Sequence, residues 1–228
     1  INISTWNVCG SMQDVLYIVT GTTRGIGHEF KKILLDNSSK LISINRNKAD
    51  KYDYKMDLSH IDEVGAMSYH LREKIKRDYV NHKIVFVNNA FSLNPIGKLS
   101  EYRNYQIASS LNTNIYSPLT LIKLLTEAPN PLYIINITSG AAHSVNKHLG
   151  IYSSSKLFIE NYLKFIEIEN NNCVKVANFN PGITKTNMYE TLSNSDKFQN
   201  NSFEKAIPND PAIVANDLYN LSKEIVSD

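Results

Sequence analysis

The sequence predicts an α/β fold in one domain, a doubly wound parallel sheet with helices on both faces. Three observations predict it. Short apolar runs alternate along the chain with longer stretches of helical spacing. These runs are apolar on both faces, as strands are when helix layers cover them from either side. The first run, Val15 to Val19, stops at Thr20 and opens into Gly21, Gly25 and Gly27 ahead of a helical stretch, EFKKILL. Right-handed crossovers make such an alternation a doubly wound sheet, whose ligand crevice lies at the carboxyl ends of the strands.

The remaining elements follow in order. LISIN at 41–45 reads as the second strand, and Arg46 to Lys55 as a charged loop. Residues 61–79 are polar, with Ile61, Val64, Met67, Leu71 and Ile75 at helical spacing. IVFVNNA (84–90) is a buried strand running into two asparagines. Residues 99–127 carry helix patterning, broken or kinked near Pro118, which lacks a backbone N–H. LYIINITS (132–139) is another buried strand. A helix over 152–169 has apolar faces built from Leu157, Ile159, Tyr162, Leu163 and Ile166. Cys173 to Phe179 forms a strand ended by Pro181–Gly182. Residues 187–207 are rich in Asn and Ser, with Phe198 and Phe203 interspersed, and a last helix spans 211–225. No final short strand is legible after it, so either the chain is truncated or one sheet edge is covered some other way.

Composition narrows the function. With 228 residues the chain can bury a substantial core. Its 24 Lys+Arg against 22 Asp+Glu leave +2 and form no long basic run, which argues against a nucleic-acid or membrane partner. Two cysteines, Cys9 and Cys173, have no companions at metal spacing, which fits a reduced, cytoplasmic setting and no metal site. No run reaches membrane-spanning length. Residues 1–11 read as a tag or other non-native extension, with Gly10–Ser11 resembling a cloning scar and Met12 a native start; residues 12–228 are the domain.

The chemistry collects at the strand ends. The turn after the first strand is GxxxGxG, with glycines where the backbone bends sharply and approaches a ligand, and a helix N-terminus suited to a phosphate. Thr20, Asn45, Asn88, Asn89, Thr138, Ser139 and Asn180 make every strand exit polar. Tyr152 and Lys156 lie one helical turn apart on one face. An ammonium near a phenol stabilises the phenolate and draws its pKa down from about 10, so that it can pass a proton near neutral pH. Tyr79/Lys83 and Tyr219/Lys223 repeat the spacing, but only Tyr152 opens a helix just after a strand ending in serine.

Taken together, TGTTRGIG (20–27), NNA (88–90), Asn114, Ser139, YSSSK (152–156) and NPG (180–182) resemble the classical short-chain dehydrogenase/reductase family in order and spacing, over Val15 to Met188. NITSGAA (136–142) and NPGITKTNM (180–188) are most similar to the branch holding sepiapterin reductase and the bacterial benzil reductases. The resemblance implies a Rossmann-type fold and a nicotinamide-dependent carbonyl reductase acting on a small molecule, with cofactor-supplied hydride. It implies Tyr152 as general acid, Ser139 as the group orienting the carbonyl, and Lys156 on the ribose hydroxyls. Asn114 would hold a water that links Lys156 to solvent, with Asn112 a competitor for the position. Cofactor contacts fall by the same likeness on Gly21, Thr23, Arg24, Gly25, Ile26 and Gly27 in the first turn. Further along they fall on Arg46, Asp57, Leu58, Asn88 and Ala90, and then on Pro181, Gly182, Ile183 and Thr186 beside Tyr152 and Lys156.

An acidic residue at the end of the second strand would accept from a free ribose. Asn45 and Arg46 stand there instead, and with Arg24 they suit a 2′-phosphate and hence NADP(H). The plain alternative for Arg46 is a solvated loop cation. Asp57 matches the family's adenine-binding aspartate or caps the helix near Ile61, although Ser59 is the nearer cap. Phe91 departs from the family, which has glycine there, and narrows the crevice or reshapes the next loop. His143 and His148 line the mouth as substrate contacts or as ordinary loop residues. With Phe91, Met188 and Tyr189 they complete the substrate candidates, and 187–207 forms a lid. Its aromatics favour an apolar carbonyl compound, a vicinal diketone or a pterin side chain. A different alcohol–ketone pair, such as a 3-oxoacyl thioester or a sugar, and a non-catalytic NADP(H) sensor stay open. By analogy the chain is a homodimer or homotetramer joined through the helices of 99–127 and 152–169.

Overall fold

The computed structural model describes residues 15–47, 50–170, 173–198 and 207–227. The extension read at 1–11, Phe203 and most of the second half of the lid stretch lie outside them. Six parallel strands, β1 (Val15–Thr20), β2 (Lys40–Asn45), β3 (Asp53–Lys55), β4 (Lys83–Asn88), β5 (Leu132–Ile137) and β6 (Val174–Phe179), stand in the order β3-β2-β1-β4-β5-β6. The order reverses between β1 and β4, which opens a crevice at their carboxyl ends.

Alternation along the strands sorts their side chains to two cores. Leu16, Ile18, Ile84, Phe86 and Ile134 face α2 (Ile61–Asp78), α4 (Ser117–Thr126) and α5 (Gly150–Glu169). Tyr17, Val19, Val85, Val87 and Ile135 face α1 (Gly25–Asp36) and α7 (Pro211–Ser227). A buried Leu, Ile or Phe contributes roughly 1.5–3 kcal/mol of transfer free energy. With helices on both faces, every strand position gains it, so the central strands read as unbroken apolar runs. This is a Rossmann-type single domain. No seventh strand stands beside β6 among the described residues, and β6 itself is largely half-buried.

Several expectations need correction. Within the loop expected at Arg46 to Lys55, Asp53–Lys55 forms the short strand β3. Its sequence has no apolar run because its anchor is electrostatic: the buried Asp53 carboxylate pairs with Lys31 of α1 at 2.8 Å, and Asp50 meets the same ammonium at 2.8 Å. Burial pulls the Lys31 pKa down, but the two carboxylates outweigh it and raise it. The helical stretch at 99–127 is a single turn at Leu99–Glu101, then α3 (Asn104–Leu111), a π turn at Asn112–Tyr116 and α4. The break expected near Pro118 is thus present as the π turn: the chain is helical on both sides of it, and Pro118 brings no N–H to the ladder where the π turn meets α4. Helix α5 begins at Gly150, not Tyr152. Cys173 lies just before β6 and is exposed.

Candidate active site

The glycine turn is built by exclusion. Gly21 and Gly25 have φ of 74° and 59°, in the left-handed region. A Cβ on Gly27 would fall 2.3 Å from the Gly21 carbonyl oxygen and 2.5 Å from Asn89 Nδ2; one on Gly25 would meet the Thr186 methyl at 3.2 Å. The Asn89 amide donates to the carbonyls of Thr20 and Gly21, both at 2.8 Å, while the Thr20 hydroxyl accepts from the N–H groups of Asn89 and Ala90. Asn89 therefore shapes the cradle, a role for which the doubled asparagine of NNA was the only sequence signal. Arg24 stands at the N-cap of α1 without a side-chain hydrogen bond there, so first-turn N–H groups remain for an anion. A narrow glycine cradle with free donors fits the pyrophosphate of a dinucleotide. Thr23 and Arg24 are exposed on this turn and Ile26 is buried behind it.

On the α4–α5 face the strand ends carry a row of amides. Asn88 Nδ2 donates to Asn136 Oδ1 at 3.0 Å, and Asn136 Nδ2 to Asn178 Oδ1 at 2.9 Å, across β4, β5 and β6. Asn88 is fully buried in this row. Asn114 is also fully buried, in the π turn: its Oδ1 accepts from the Ser92 N–H, and its Nδ2 donates to the Ser92 carbonyl and to Ser110 Oγ. Both amide donors are used, so Asn114 braces the loop after β4. Asn112 instead donates to the Ser59 carbonyl.

Tyr152 and Ser139 meet. The Tyr152 side chain, 7% exposed, reaches the Ser139 hydroxyl; burial raises its pKa above the ordinary value near 10, and that hydrogen bond works against the rise. Ser139 also accepts from the Ala141 N–H and caps a short turn at Gly140–His143. Lys156 departs from expectation. Its ammonium donates to the Ile137 carbonyl at 2.5 Å and lies 3.7 Å from the Phe91 ring centroid. The Phe91 ring is edge-on to Tyr152, with centroids 5.5 Å apart at 88°. Burial lowers the Lys156 pKa to about 7, against the cation–π contact that favours the charge. The expected depression of the phenol by a neighbouring ammonium is therefore absent in this arrangement.

The far end of the crevice lies past β2. Asn45 Oδ1 accepts from the Thr22 N–H, and its Nδ2 donates to Thr22 Oγ1 and Asp53 Oδ1. A solvent-open cavity of about 470 Å³ is lined by Arg46, Asn47, Lys55, Asp57, His60 and Glu63. Burial pushes the Asp57 carboxyl up, but the Ser59 N–H and hydroxyl, with His60 and Arg46 nearby, hold it below its usual range. Neither Asp57 nor Ser59 caps α2; His60 stands at that position without a side-chain bond. Leu58 is a core residue whose carbonyl accepts from Ser117, so it offers a ligand no side-chain group.

Three loops close over Tyr152. Leu93, Leu149, Leu192 and Phe198 form an apolar cluster with it, joined by Phe91 and Met188. Gly97 N–H donates to the His148 carbonyl, the His148 ring stands edge-on to Phe198, and Lys197 bonds the Ile96 carbonyl and Glu101. The lid stretch starts as α6 (Asn187–Ser193), capped by Thr186, whose Oγ1 accepts from the Tyr189 N–H. The connection from Pro181 to Ile183 turns at Gly182, φ 64°, and is held by Asn209. Phe91 and Met188 thus gather at Tyr152, with His148 behind Phe198. His143 does not: it pairs with Glu160 of α5 at 3.0 Å, and Thr138 donates to the same carboxylate.

The geometry can be set beside known proteins. The short chain dehydrogenase family profile matches residues 16–197. The benzil reductase ((S)-benzoin forming) of Bacillus cereus is 26% identical over 208 residues, covering 79% of this chain and 83% of its own. Its namesake from Bacillus subtilis is 26% identical over 194 residues, with 80% and 79% covered. The solved structure of ElxO with NADP bound superposes with a TM-score of 0.72 at 21% identity, covering 90% of each chain. With the strand order and the glycine turn, the profile match shows that the chain belongs to the short-chain dehydrogenase family of oxidoreductases, of the classical type and near the benzil reductases.

Proposed function

We propose that the protein is an NADPH-dependent carbonyl reductase acting on a small apolar ketone or diketone. The observation that carries this reading is the Tyr152 phenol hydrogen-bonded to Ser139, beside a buried Lys156, with its ring against Phe91, the residue that follows the Ala90 packed on Gly21. A bound nicotinamide dinucleotide supplies the hydride. Tyr152, protonated at neutral pH, is the general acid that hands its proton to the carbonyl oxygen. Ser139 orients that oxygen, and Lys156 holds the ribose hydroxyls. Asn114 is a positioning residue, fixing the Ser92 backbone and with it the loop that carries Phe91. The glycine turn, with Thr23, Ile26, Asn88, Pro181, Gly182, Ile183 and Thr186 around it, encloses the dinucleotide, and Asp57 and Leu58 border its adenine.

The choice of NADP(H) rests on charge. Asn45 presents no carboxylate to a ribose, whereas Arg46 and Lys55 line the adjoining cavity and Arg24 is exposed on the turn. ElxO, solved with NADP, supports the same choice. The apolar cluster around Tyr152 and the two benzil reductases favour an aryl or alkyl diketone. A cytoplasmic homodimer or homotetramer fits: Tyr116, Phe158, Tyr162 and Phe165 leave apolar area exposed on the π turn and α5.

NADPH oxidation at 340 nm with a panel of diketones tests the reading. Wild type is expected to turn over benzil-like compounds, and Tyr152→Phe to lose roughly 10²–10⁴-fold in kcat. Unchanged rates in that variant would remove the acid. Good rates on 3-oxoacyl thioesters with none on diketones would move the substrate class.

A further inference from the structure

Phe91 stands where the dehydrogenase motif has glycine, and its ring occupies the ammonium that the cofactor's ribose requires. Three contacts of Lys156 and Phe91 describe a closed arrangement. The lysine nitrogen is hydrogen-bonded to the Ile137 carbonyl, it lies 3.7 Å from the Phe91 centroid, and the same ring is packed edge-on against Tyr152. Lys156 is 3% exposed. Two ribose hydroxyls cannot reach a nitrogen whose open side is covered by an aromatic face. Packing leaves the ring room to move: Phe91 is half-buried, at the rim of the apolar cluster and not in its centre, so the cost of moving it is the lost contact with the ammonium. Its backbone, by contrast, is held, because the preceding Ala90 N–H donates to Thr20 and the following Ser92 is clamped by Asn114.

We propose that Phe91 is a positioning residue acting through Lys156: its ring holds the lysine in a covered resting place, and ribose and ring exchange at that ammonium when the dinucleotide binds. The proposal rests on the carbonyl-reductase reading for its cofactor. The exchange divides the ligand in two. The adenine half, anchored at the glycine turn and the Arg46 cavity, is insensitive to Phe91. The nicotinamide–ribose half must displace a desolvated cation–π contact, so the intact dinucleotide binds more weakly than the cradle alone allows. The ring also keeps water from the lysine, which is consistent with its low proton affinity in this arrangement.

The test compares NADPH with adenosine 2′,5′-bisphosphate, which lacks the nicotinamide ribose, by calorimetry on wild type, Phe91→Ala and Phe91→Leu. The alanine variant is expected to bind NADPH roughly ten- to thirty-fold more tightly, the magnitude of a desolvated cation–π contact. Leucine, which keeps bulk and loses the aromatic face, is expected to give a smaller gain. All three proteins are expected to bind the bisphosphate alike. The pH dependence of NADPH affinity should also flatten between pH 6 and 8 in the alanine variant, which a general packing defect would not produce. Unchanged or weaker NADPH binding in Phe91→Ala, with bisphosphate binding intact, overturns the exchange and leaves the cofactor reading standing. Failure of both compounds to bind any of the three removes the cofactor reading and the exchange with it.

Discussion

The Lys156 ammonium donates to the carbonyl of Ile137, the last residue of β5, and makes no bond to Tyr152 one turn before it on α5. The two residues share a helical face, yet their polar ends go to different partners, Ser139 for the phenol and the strand end for the amine. Strand β5 therefore sets the spacing of the pair as much as α5 does.

Stability should record the buried lysine. Its pKa falls from 10.5 to about 7 on folding because burial disfavours the charged form. Between those values the unfolded chain binds a proton that the folded chain does not, so stability rises with pH from about 7 to 10.5 and the penalty is fully present below 7. Lys156→Met is expected to be more stable than wild type at pH 6, by a few kcal/mol at order of magnitude, and to lose that advantage above pH 10. Urea unfolding at the two pH values measures it. A constant difference would mean the lysine does not titrate with folding.

Two glycine-to-alanine changes should act in opposite directions. Gly27→Ala places a methyl against the Gly21 carbonyl and Asn89, both held in the cradle and unable to yield cheaply. It should cost about 1–3 kcal/mol and abolish dinucleotide binding. Gly65 lies within α2, and a methyl added to it would meet nothing within 4 Å, so Gly65→Ala should stabilise by about 0.5–1 kcal/mol. Thermal melts of the pair, with NADPH titrations, check both signs.

Cofactor preference should turn on Arg46. Arg46→Ala is expected to raise KM for NADPH roughly ten-fold, the scale of one charge-assisted contact, and to leave KM for NADH within a factor of about two, since NADH brings no 2′-phosphate. Parallel kinetics with the two cofactors decide it. An equal loss for both would make Arg46 a general surface cation.

The amide row across β4, β5 and β6 should be sensitive at its middle. Asn136 both accepts from Asn88 and donates to Asn178. Asn136→Ala leaves the buried Asn88 amide without its acceptor and removes the bond to the exposed Asn178, and should cost about 1–3 kcal/mol, read from denaturant midpoints. Asn178→Ala, at an exposed position of the edge strand, removes only the acceptor of Asn136 and should cost less.

The sheet was legible because its signals are local and repeated. Strands between two helix layers gain from apolar side chains at every position, and that leaves unbroken runs at β1, β4 and β5. Motif order was legible too, since a glycine needed for a close approach tolerates no other residue. Strand β3 was hidden because an ion pair from Lys31 to Asp53 stabilises it, and no apolar pattern marks such a strand. Ser59 looked like a cap, but its N–H and hydroxyl both donate to the Asp57 carboxylate and neither residue caps α2. His143 looked like a mouth residue until Glu160, on a different element, claimed it.

By itself the amino-acid order determined the alternation of strands and helices, the cradle and the family. It also placed Ser139 just past a strand and Tyr152 and Lys156 one turn apart on the helix that follows, because hydrophobic periodicity and backbone constraints act over a few neighbouring residues. Tertiary structure alone decided where Phe91 puts its ring, what Lys156 bonds and how readily it keeps a proton. Those outcomes depend on burial and on partners far apart in the chain, and desolvation has no signature in a string of residues.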